Sequence, residues 1–508
     1  MNYAPTKGFQ ENYLASEADV TVGGAKAGVG KSFATILDPL QYILDPNIEA
    51  NFRKARGVFF RRTMPEHTQG GGLWDEASEV YENAGATIQN GRYKVNFANG
   101  ARLEFTHLQY EKTVLNHKGG QYTWIYFDEL TSFLRSQFIY MISRNRSGAK
   151  ILPTVKATTN PEGFGWVKEL VSWYIYPDNY KDPSLAGLPI PERIGALRYF
   201  IAFEGRFIWG DSREEVASIA PEEAIDWDLP LEDQILSFTF IPGELEDNIF
   251  QDPAYRSRLM AQGEEDKLRL LGGSWKAYDN PESLFRSGGL QDIFTNEFVP
   301  LGGKRYLTAD LAFEGRDKFV VAVWEGWRII QLFSFPKTDG EQIIDYIRAI
   351  AEEYGIPQSN IAYDAAGVGM FAKGFLKSSI AYNSNLAPWA LKGSKEKQNY
   401  YKLRDQIHYI FANIINNPGN KRTGAPGLFV EPGTFTNVDD KDELLRQLRA
   451  VYKKANGTGP LRISTKDEIV ARLGCSPDIL EAVVLRVLFM LERPGKKRRP
   501  SARQKPRK

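Results

Sequence analysis

The chain has 508 residues, too many for one hydrophobic core, so we expect two or three domains. It shows no apolar run of about 18 residues and no apolar signal core near the start, so we expect neither a membrane span nor a secretory signal. The net charge is +1. The lone Cys475 and only four histidines argue against disulfides and cysteine- or histidine-rich metal centres, so a reducing cytoplasm fits.

The first motif is a glycine-rich loop between a predicted strand, DVTV (19–22), and a predicted helix in SFATILDPLQYIL (32–44). AKAGVGKS (25–32) matches the phosphate-binding pattern G-x-x-x-x-G-K-[ST], except that Ala25 replaces the first glycine. Lys31 is expected to reach the β- and γ-phosphates, and Ser32 to bind Mg²⁺. A chance Gly-Lys-Ser is the alternative. The remaining loop residues expected to bind nucleotide through their backbone are Ala25, Lys26, Ala27, Gly28, Val29 and Gly30.

The second motif is a buried strand that ends in two carboxylates. QYTWIYFDEL (121–130) places Asp128 and Glu129 directly after an apolar run. Two acids at the end of a parallel strand are hard to explain by packing. In a P-loop ATPase the first orients Mg²⁺ and the second polarises the attacking water. Together with the loop, they predict ATP hydrolysis.

The third motif, KATTNPEGFG (156–165), predicts a strand that ends at Thr158, Thr159 and Asn160. Hydroxyl and amide groups at this position can sense the γ-phosphate and relay its loss to another element. An ordinary Asn-Pro turn is the alternative.

These motifs, in this order, resemble the large terminase subunit of tailed bacteriophages, the ATP-driven motor that pumps DNA into a procapsid and cuts it. The resemblance is carried by GFQENYLASEADVTVGGAKAGVGKSFATIL (8–37), VFFRRT (58–63), FDEL and TTNPEG. It implies that Gln10 contacts adenine and that the Thr158–Asn160 segment couples hydrolysis to movement. It also implies that an arginine completes a neighbouring subunit's site. The candidates for that arginine are Arg61, Arg62, Arg144 and Arg146.

The second half of the chain has a different pattern. A charged helical segment (244–275) ends at a Gly-Gly turn, and KRYLTADLAFEGRDKFVVAVWEGWRIIQLFSF (304–335) predicts an antiparallel meander. A helix (341–355), the strand NIAYD and a final apolar helix follow. We expect an α/β chain with four parts. They are a mainly parallel P-loop ATPase domain (1–240), a connector (241–295), an RNase H-like nuclease domain (296–492) and a basic tail (493–508).

Three acids stand out in this half. Asp310 lies within a predicted strand, Asp364 ends the strand IAYD, and Asp478 begins the last helix. A turn residue is the alternative for Asp364, and a helix cap is the alternative for Asp478. The order of elements resembles the RNase H-like fold, which implies that the three acids share two Mg²⁺ or Mn²⁺ ions and cut a phosphodiester. Two further acids, Glu481 and Asp317, are accessory candidates, and Glu481 stands where the terminase box LGCSPDILEA usually has Asp.

The resemblance implies ATP-driven translocation of double-stranded DNA and cutting of concatemers. It also implies a portal protein, a small terminase subunit and a homo-oligomeric ring as partners, with no membrane. The expected location is the host cytoplasm and, transiently, the portal vertex, not the mature virion. A translocase without nuclease activity, or a capsid scaffold that only binds nucleotide, is the alternative. The choice between headful and cohesive-end cutting stays open.

The segment from 495 to 508 carries eight Lys or Arg residues and no acid, so the rest of the chain sums to −7 (1 − 8). We expect this tail to be disordered. It serves solubility, or it contacts a phosphate backbone or an acidic protein.

Overall fold

The computed structural model describes residues 3–24, 26–311, 318–335, 340–365, 372–394, 399–420, 425–455 and 457–494. Ala25, Asp317 and the basic segment from 495 onward lie outside these ranges. The chain divides into two compact units, Met1–Tyr278 and Asp279–Lys508. Among the described residues, no helix combines the length and apolar character needed to cross a bilayer.

Ten strands form one sheet in the first unit. They are β1 (Val20–Gly24), β2 (Arg56–Arg61), β3 (Thr87–Gln89), β4 (Lys94–Asn96), β5 (Arg102–His107), β6 (Trp124–Phe127), β7 (Thr154–Thr159), β8 (Arg198–Phe203), β9 (Arg206–Gly210) and β10 (Leu236–Ile241). Their order is β3-β4-β5-β2-β6-β7-β1-β10-β8-β9. The run from β5 to β10 is parallel, and antiparallel strands flank it on both sides.

The central strands place the three motifs at one edge of this sheet. Strands β1, β6 and β7 are buried at every position, as expected for a parallel sheet covered on both faces. β7 lies between β1 and β6. Because parallel strands end at the same edge, the loop after β1, the acids after β6 and the end of β7 become neighbours.

The helices of the first unit are short. They are α1 (Phe9–Leu14), α2 (Lys31–Leu37), α3 (Leu40–Ile43), α4 (Met64–Thr68), α5 (Leu73–Asn83), α6 (Arg135–Ile142), α7 (Trp166–Val171), α8 (Arg213–Ile219), α9 (Pro253–Met260) and α10 (Glu264–Asp266). The helix predicted from SFATILDPLQYIL is divided into α2 and α3, because Pro39 lacks the N–H needed to continue α2. The charged segment contains α9, α10 and one π-helical turn, Lys267–Leu271.

Six strands form the sheet of the second unit. They are β11 (Arg305–Asp310), β12 (Phe319–Glu325), β13 (Arg328–Phe335), β14 (Ile361–Asp364), β15 (Ile380–Tyr382) and β16 (Phe429–Val430). The order is β15-β14-β11-β12-β13-β16. β11, β12 and β13 form the predicted antiparallel meander, whereas β14 runs parallel to β11.

The last helix of this unit is wholly buried. The helices are α11 (Ser287–Asp292), α12 (Gly340–Glu353), α13 (Ala372–Phe375), α14 (Leu403–Asn416), α15 (Asp440–Arg449), α16 (Lys466–Leu473) and α17 (Asp478–Val484), with a 3-10 helix over Leu485–Met490. α17 packs against β11 and β12, and all seven of its residues are buried, including Asp478 and Glu481. Two acids on a buried helix are costly unless they have partners or a function.

The predicted fold class is confirmed: both units are α/β, the first around a large, mainly parallel sheet and the second around a mixed one. The boundary between the units, at Tyr278 and Asp279, falls inside the segment predicted as a connector. The assignment of domain roles to these segments stays a prediction.

Candidate functional site

The glycine-rich loop has the backbone geometry that its glycines allow. Gly28 and Gly30 have φ angles of 80° and 84°, in the left-handed region that favours glycine. Gly30 caps α2, which begins at Lys31. The loop therefore turns directly from β1 into α2, in the predicted strand–loop–helix context.

Lys31 connects this loop to the third motif. Its Nζ donates hydrogen bonds to the Lys26 carbonyl oxygen at 2.7 Å and to Asn160 Oδ1 at 2.8 Å. Burial lowers the pKa of Lys31 to about 8, against the opposing effect of the Asp128 and Glu129 charges. The ammonium group is thus held in place before any phosphate arrives.

Asp128 connects all three motifs. It is buried, and it accepts hydrogen bonds from Ser32 Oγ at 3.1 Å and from Thr158 Oγ1 at 2.6 Å. The contact with Thr158 is possible because β6 and β7 are adjacent parallel strands. A hydroxyl and a carboxylate in direct contact are the oxygen donors that Mg²⁺ prefers, so Ser32 and Asp128 fit the predicted metal role.

Arg61, at the end of β2, is a partner of Asp128 that the sequence did not predict. Its Nε and Nη2 donate to Asp128 Oδ2 at 2.9 and 2.5 Å. Arg61 is one candidate for the arginine that completes a neighbouring subunit's site, but in this structure it contacts an acid of its own chain. Arg62 binds Leu108 O and Gln137 within its own unit, and Arg144 Nε donates to Ser143 Oγ. Which arginine acts between subunits, Arg146 included, stays a prediction.

Glu129 has an unusual backbone. Its φ and ψ are both 61°, a left-handed conformation that costs a non-glycine residue about 1 kcal/mol. Burial, and then the negative charge of Asp128, raise the pKa of its carboxyl group, while Arg61 opposes the shift. Strain and a raised pKa on one residue are typical of a functional position.

Lys31, Asp128 and Glu129 line a cavity of about 520 Å³. One part holds the motif residues. A second part is formed by the N-terminal segment and by residues after β10. The lining residues are Ala4, Thr6, Gln10, Ala27, Gly28, Val29, Gly30, Lys31, Ser32, Phe33, Glu76, Asp128, Glu129, Asn160, Asn248, Phe250, Gln251 and Tyr255.

Gln10 is buried at this cavity, and its side-chain amide has partners within the chain. Oε1 accepts from the Thr6 N–H at 2.9 Å, and Nε2 donates to the Gly30 carbonyl at 3.1 Å. Gln10 therefore ties the N-terminal segment to the glycine-rich loop. Its predicted contact with adenine stays a prediction.

Two predicted residues have other contacts. Thr159 Oγ1 donates to the Asn160 carbonyl at 2.9 Å and lies near Thr131 Oγ1, so it does not share the Asp128 contact of Thr158. Lys26 forms an ion pair with Glu244. Alternation along β7 explains why only one of the two threonines reaches Asp128.

The segment after β10, part of the predicted connector, also contributes to the cavity. Asn248 Nδ2 donates to the Gly28 carbonyl at 2.7 Å, and a Cβ at Gly28 would lie 2.6 Å from Gln251 Oε1 and 2.7 Å from the Tyr255 ring. Nothing in the sequence marked these residues, because their proximity to the loop depends on the parallel pairing of β1 with β10.

In the second unit the fold brings the predicted acids towards one another. β11 and β14 pair with Ala309 opposite Tyr363, so Asp310 and Asp364 end neighbouring parallel strands. Asp478 begins α17, which packs against β11. The three acids therefore lie at one end of the sheet although they are far apart in sequence.

The proximity of these acids affects the ionisation of Asp310. Burial raises the pKa of Asp310 well above its usual value, and the charges of Asp478, Asp364 and Glu481 add to the shift. Burial by itself also raises the pKa of Glu481, but Arg404, His408 and Lys466 together bring it below its usual value. Lys466 opposes the shift of Asp310 but does not cancel it.

The acids are close together, but those in the described part of the chain do not form a metal-ligand group. Within the described residues, no group of three or more His, Cys, Asp or Glu side chains is arranged to hold a metal ion. Asp478 Oδ2 accepts from the Lys318 N–H at 2.7 Å, and Glu481 lies 3.7 Å from Arg404. Three carboxylates repel one another, which favours such separate contacts. The donor set is all oxygen and suits Mg²⁺ or Mn²⁺, but shared ligation stays a prediction.

A basic cavity adjoins two of these acids and was not predicted. It has a volume of about 360 Å³ and includes Asp364 and Glu481 in its lining. A third acid, Asp405, also lines it, and five positively charged side chains outnumber the acids: Lys402, Arg404, Lys454, Arg462 and Lys466. Such a surface suits a phosphate group.

Comparison with known proteins gives the family. No curated protein matches the chain. The similar solved structures include three with low sequence identity. A mutant nuclease domain of the large terminase subunit of bacterial virus Sf6 with manganese is 15% identical, covers 40% of this chain and 98% of its own, and has a TM-score of 0.35. A large terminase from a thermophilic bacteriophage in complex with ADP is 11% identical, covers 95% and 98%, and has a TM-score of 0.33.

The large terminase ATPase domain of Thermus phage P74-26 is 12% identical, covers 54% of this chain and 94% of its own, and has a TM-score of 0.33. The family model described as "Terminase large subunit, T4likevirus-type, N-terminal" matches residues 23–291, more than half of the sequence. This span includes all three motifs of the first cavity. The chain therefore belongs to the bacteriophage terminase large subunit family.

Proposed function

We propose that the first unit hydrolyses ATP and that the energy moves double-stranded DNA into a procapsid. The observation that carries this proposal is the convergence of three motifs on Asp128 and Lys31. Ser32 and Thr158 donate to Asp128, and Lys31 donates to Asn160. All of these except Thr158 line one cavity. A glycine-rich loop that matched the pattern by chance would not be expected to contact both a carboxylate pair and the polar end of a strand.

The residues have distinct roles in this proposal. Lys31 and the loop N–H groups bind the phosphates, and Ser32 and Asp128 hold Mg²⁺. Glu129 accepts a proton from water, and its raised pKa brings it closer to neutral pH than an ordinary carboxylate. Bound Mg²⁺ would neutralise charge on the phosphate oxygens. Thr158 and Asn160 sense the γ-phosphate because their partners are Asp128 and Lys31.

The test is to compare Glu129→Gln with the wild-type chain, using Glu79→Gln as a control at an exposed position of α5. We expect Glu129→Gln to lose ATP turnover by at least about a hundredfold and to bind ATP with wild-type affinity. Glu79→Gln should match wild type in both. Wild-type turnover in Glu129→Gln would refute the assignment.

We also propose that the second unit cuts concatemeric DNA with Mg²⁺ or Mn²⁺ held by Asp310, Asp364 and Asp478. The proximity of these acids and the basic cavity beside Asp364 support it. The second candidate is a DNA translocase without nuclease activity. The lack of a convergent ligand group among the described residues favours it.

Plasmid digestion distinguishes the two. Wild type, Asp310→Asn and Asp345→Asn, a matched change at an exposed position of α12, are incubated with Mn²⁺, Mg²⁺ or EDTA, with and without ATP. The nuclease proposal predicts metal-dependent cleavage that only Asp310→Asn loses. The translocase alternative predicts equal plasmid integrity in every reaction.

The partners follow from the same proposal. We propose that the chain acts as a ring on a portal protein, with a small terminase subunit choosing the DNA. It would work in the host cytoplasm, at the portal vertex, and not remain in the mature virion. Co-sedimentation of the full chain with portal-containing procapsids, with and without ATP, tests this placement.

A further inference from the structure

A buried ionic cluster lies beneath the nucleotide cavity, and the proposed hydrolysis does not use it. Its centre is Lys156 on β7, whose side chain is fully buried. Lys156 Nζ donates to Asp38 Oδ1 at 2.7 Å and to the carbonyl oxygens of Tyr13 and Leu14 at 3.0 and 3.2 Å. All three N–H bonds of the ammonium group therefore have an acceptor.

Asp38 is the other charged member, and it is also fully buried. It directly follows α2. Besides Lys156, it accepts a hydrogen bond from Gln41 Nε2 at 2.9 Å and one from Tyr126 OH at 2.7 Å. The Lys156–Asp38 cluster, defined as these two side chains with Tyr126 and the carbonyls of Tyr13 and Leu14, thus joins α1, α2, β6 and β7.

Each of these four elements also presents a residue to the nucleotide cavity. α1 contains Gln10, α2 begins with Lys31 and Ser32, β6 leads into Asp128, and β7 leads into Asn160. The cluster is therefore a single junction among the elements that bound the site. On β7, Lys156 and Thr158 point to the same face, because side chains alternate along a strand.

Stability alone does not explain such a cluster. Removing two charges from water costs free energy that their attraction only partly returns, so well-packed apolar side chains would stabilise the fold at least as well. Directional hydrogen bonds, in contrast, fix the relative positions of the groups they join. Lys156 bonds to two carbonyls at the end of α1, a common way to hold a helix terminus.

We propose that Lys156 is a positioning residue that couples phosphate binding at the end of β7 to the position of α1 and Gln10. The inference rests on the proposed nucleotide site. A γ-phosphate that draws Lys31 and Asn160 towards it would shift the end of β7. Lys156 and Asp38 would pass that shift to α1, and so to the side chain that ties Thr6 to Gly30.

Hydrogen exchange of the full-length chain tests the coupling. Wild type is compared with Lys156→Met/Asp38→Leu, which removes both charges and replaces them with apolar side chains. The control, Lys94→Met/Glu104→Leu, removes a half-exposed ion pair between β4 and β5. Tyr126→Phe, which deletes one hydroxyl, provides a milder change in the same cluster. Each protein is measured with Mg²⁺ and either ADP or a non-hydrolysable ATP analogue.

The expected wild-type result is exchange of the Phe9–Leu14 amides at least about threefold slower with the ATP analogue than with ADP. This difference should vanish in Lys156→Met/Asp38→Leu, shrink in Tyr126→Phe and persist in the control. Binding of both nucleotides should continue in all four. If the double variant does not fold, Tyr126→Phe alone decides the outcome.

An unchanged α1 difference in the cluster variants would overturn the inference and leave the nucleotide site intact. Equal exchange of wild-type α1 with ADP and with the ATP analogue, while the chain binds both nucleotides, would overturn it in the same way. A wild-type chain that binds neither nucleotide would overturn the proposed function, and this inference with it.

Discussion

Lys31 and Asn160 are 129 residues apart in sequence, yet Lys31 Nζ donates a hydrogen bond to Asn160 Oδ1 at 2.8 Å. The contact joins the glycine-rich loop to the polar end of β7. It arises because β1 and β7 pair as parallel strands, with Gly24 opposite Thr159. The Lys31 ammonium group can exchange its hydrogen bond with the amide oxygen for one with a phosphate. The Lys31–Asn160 pair therefore links nucleotide binding to the state of β7.

Nucleotide affinity should fall as the pH rises through about 8. Burial lowers the pKa of Lys31 to about 8, so the ammonium group loses its proton at a lower pH than an ordinary lysine does. The protonated form is the one that attracts phosphate. Calorimetric titration with ADP at pH 7 and pH 9 should show about tenfold weaker binding at the higher pH. Equal affinities would contradict the assigned role of Lys31.

Arg61→Ala should destabilise the first unit by about 3 kcal/mol, because it leaves the buried Asp128 carboxylate without its cation. Arg61→Lys, which keeps a charge but not the paired N–H groups, should cost less. Because ATP binds the first unit in this proposal, the urea unfolding transition that moves when ATP is added belongs to that unit. This transition gives the free energy of unfolding of the first unit. A loss below about 0.5 kcal/mol for Arg61→Ala would show that the contact is not a buried ion pair.

Glu129→Gly should be more stable than Glu129→Ala by about 1 kcal/mol. The left-handed backbone at this position suits glycine and strains alanine. Neither variant retains the carboxyl group, so both should lack ATP turnover. The same urea transition measures the difference. Equal stability of the two variants would mean that the backbone at this position is relaxed.

Asp310→Asn should raise the thermal midpoint of the second unit at neutral pH and abolish metal-dependent cleavage. The folded-state pKa of Asp310 lies well above its usual value. For a raised acid pKa, the folded state binds a proton more tightly than the unfolded state, so stability falls as the pH rises. Asparagine removes that loss, and calorimetry at pH 5 and pH 8 should show a larger gain at the higher pH. Destabilisation at pH 8 would contradict this electrostatic account.

The strands, the glycine-rich loop and the meander were predicted correctly because their signals come from residues adjacent in sequence. The apolar runs of β6 and β7, the glycines of the loop and the meander of β11 to β13 all depend on neighbouring residues. Pro39 divides the predicted helix and is also a local signal, but the apolar periodicity on both sides of it led to the prediction of one helix.

Contacts between distant segments were harder to predict. Arg61 on Asp128, Asn248 on Gly28 and the Lys156–Asp38 cluster all depend on strand order. No residue spacing along the chain encodes that order. The mutual effect of Asp310, Asp364 and Asp478 was not predictable from spacing either, since their charges interact only once the fold has gathered them.

The most direct test of the central claim is a calorimetric titration of the full-length chain with ATP and Mg²⁺. Wild type is compared with Lys31→Met, Ser32→Ala and Asn160→Ala, and Lys94→Met serves as the control. If the glycine-rich loop and the end of β7 form one nucleotide site, wild type and the Lys94→Met control should bind ATP with equal affinity. Lys31→Met should then lose at least about a hundredfold, and the other two about tenfold. Wild-type affinity in all three variants, or no binding by the wild-type chain, would contradict it.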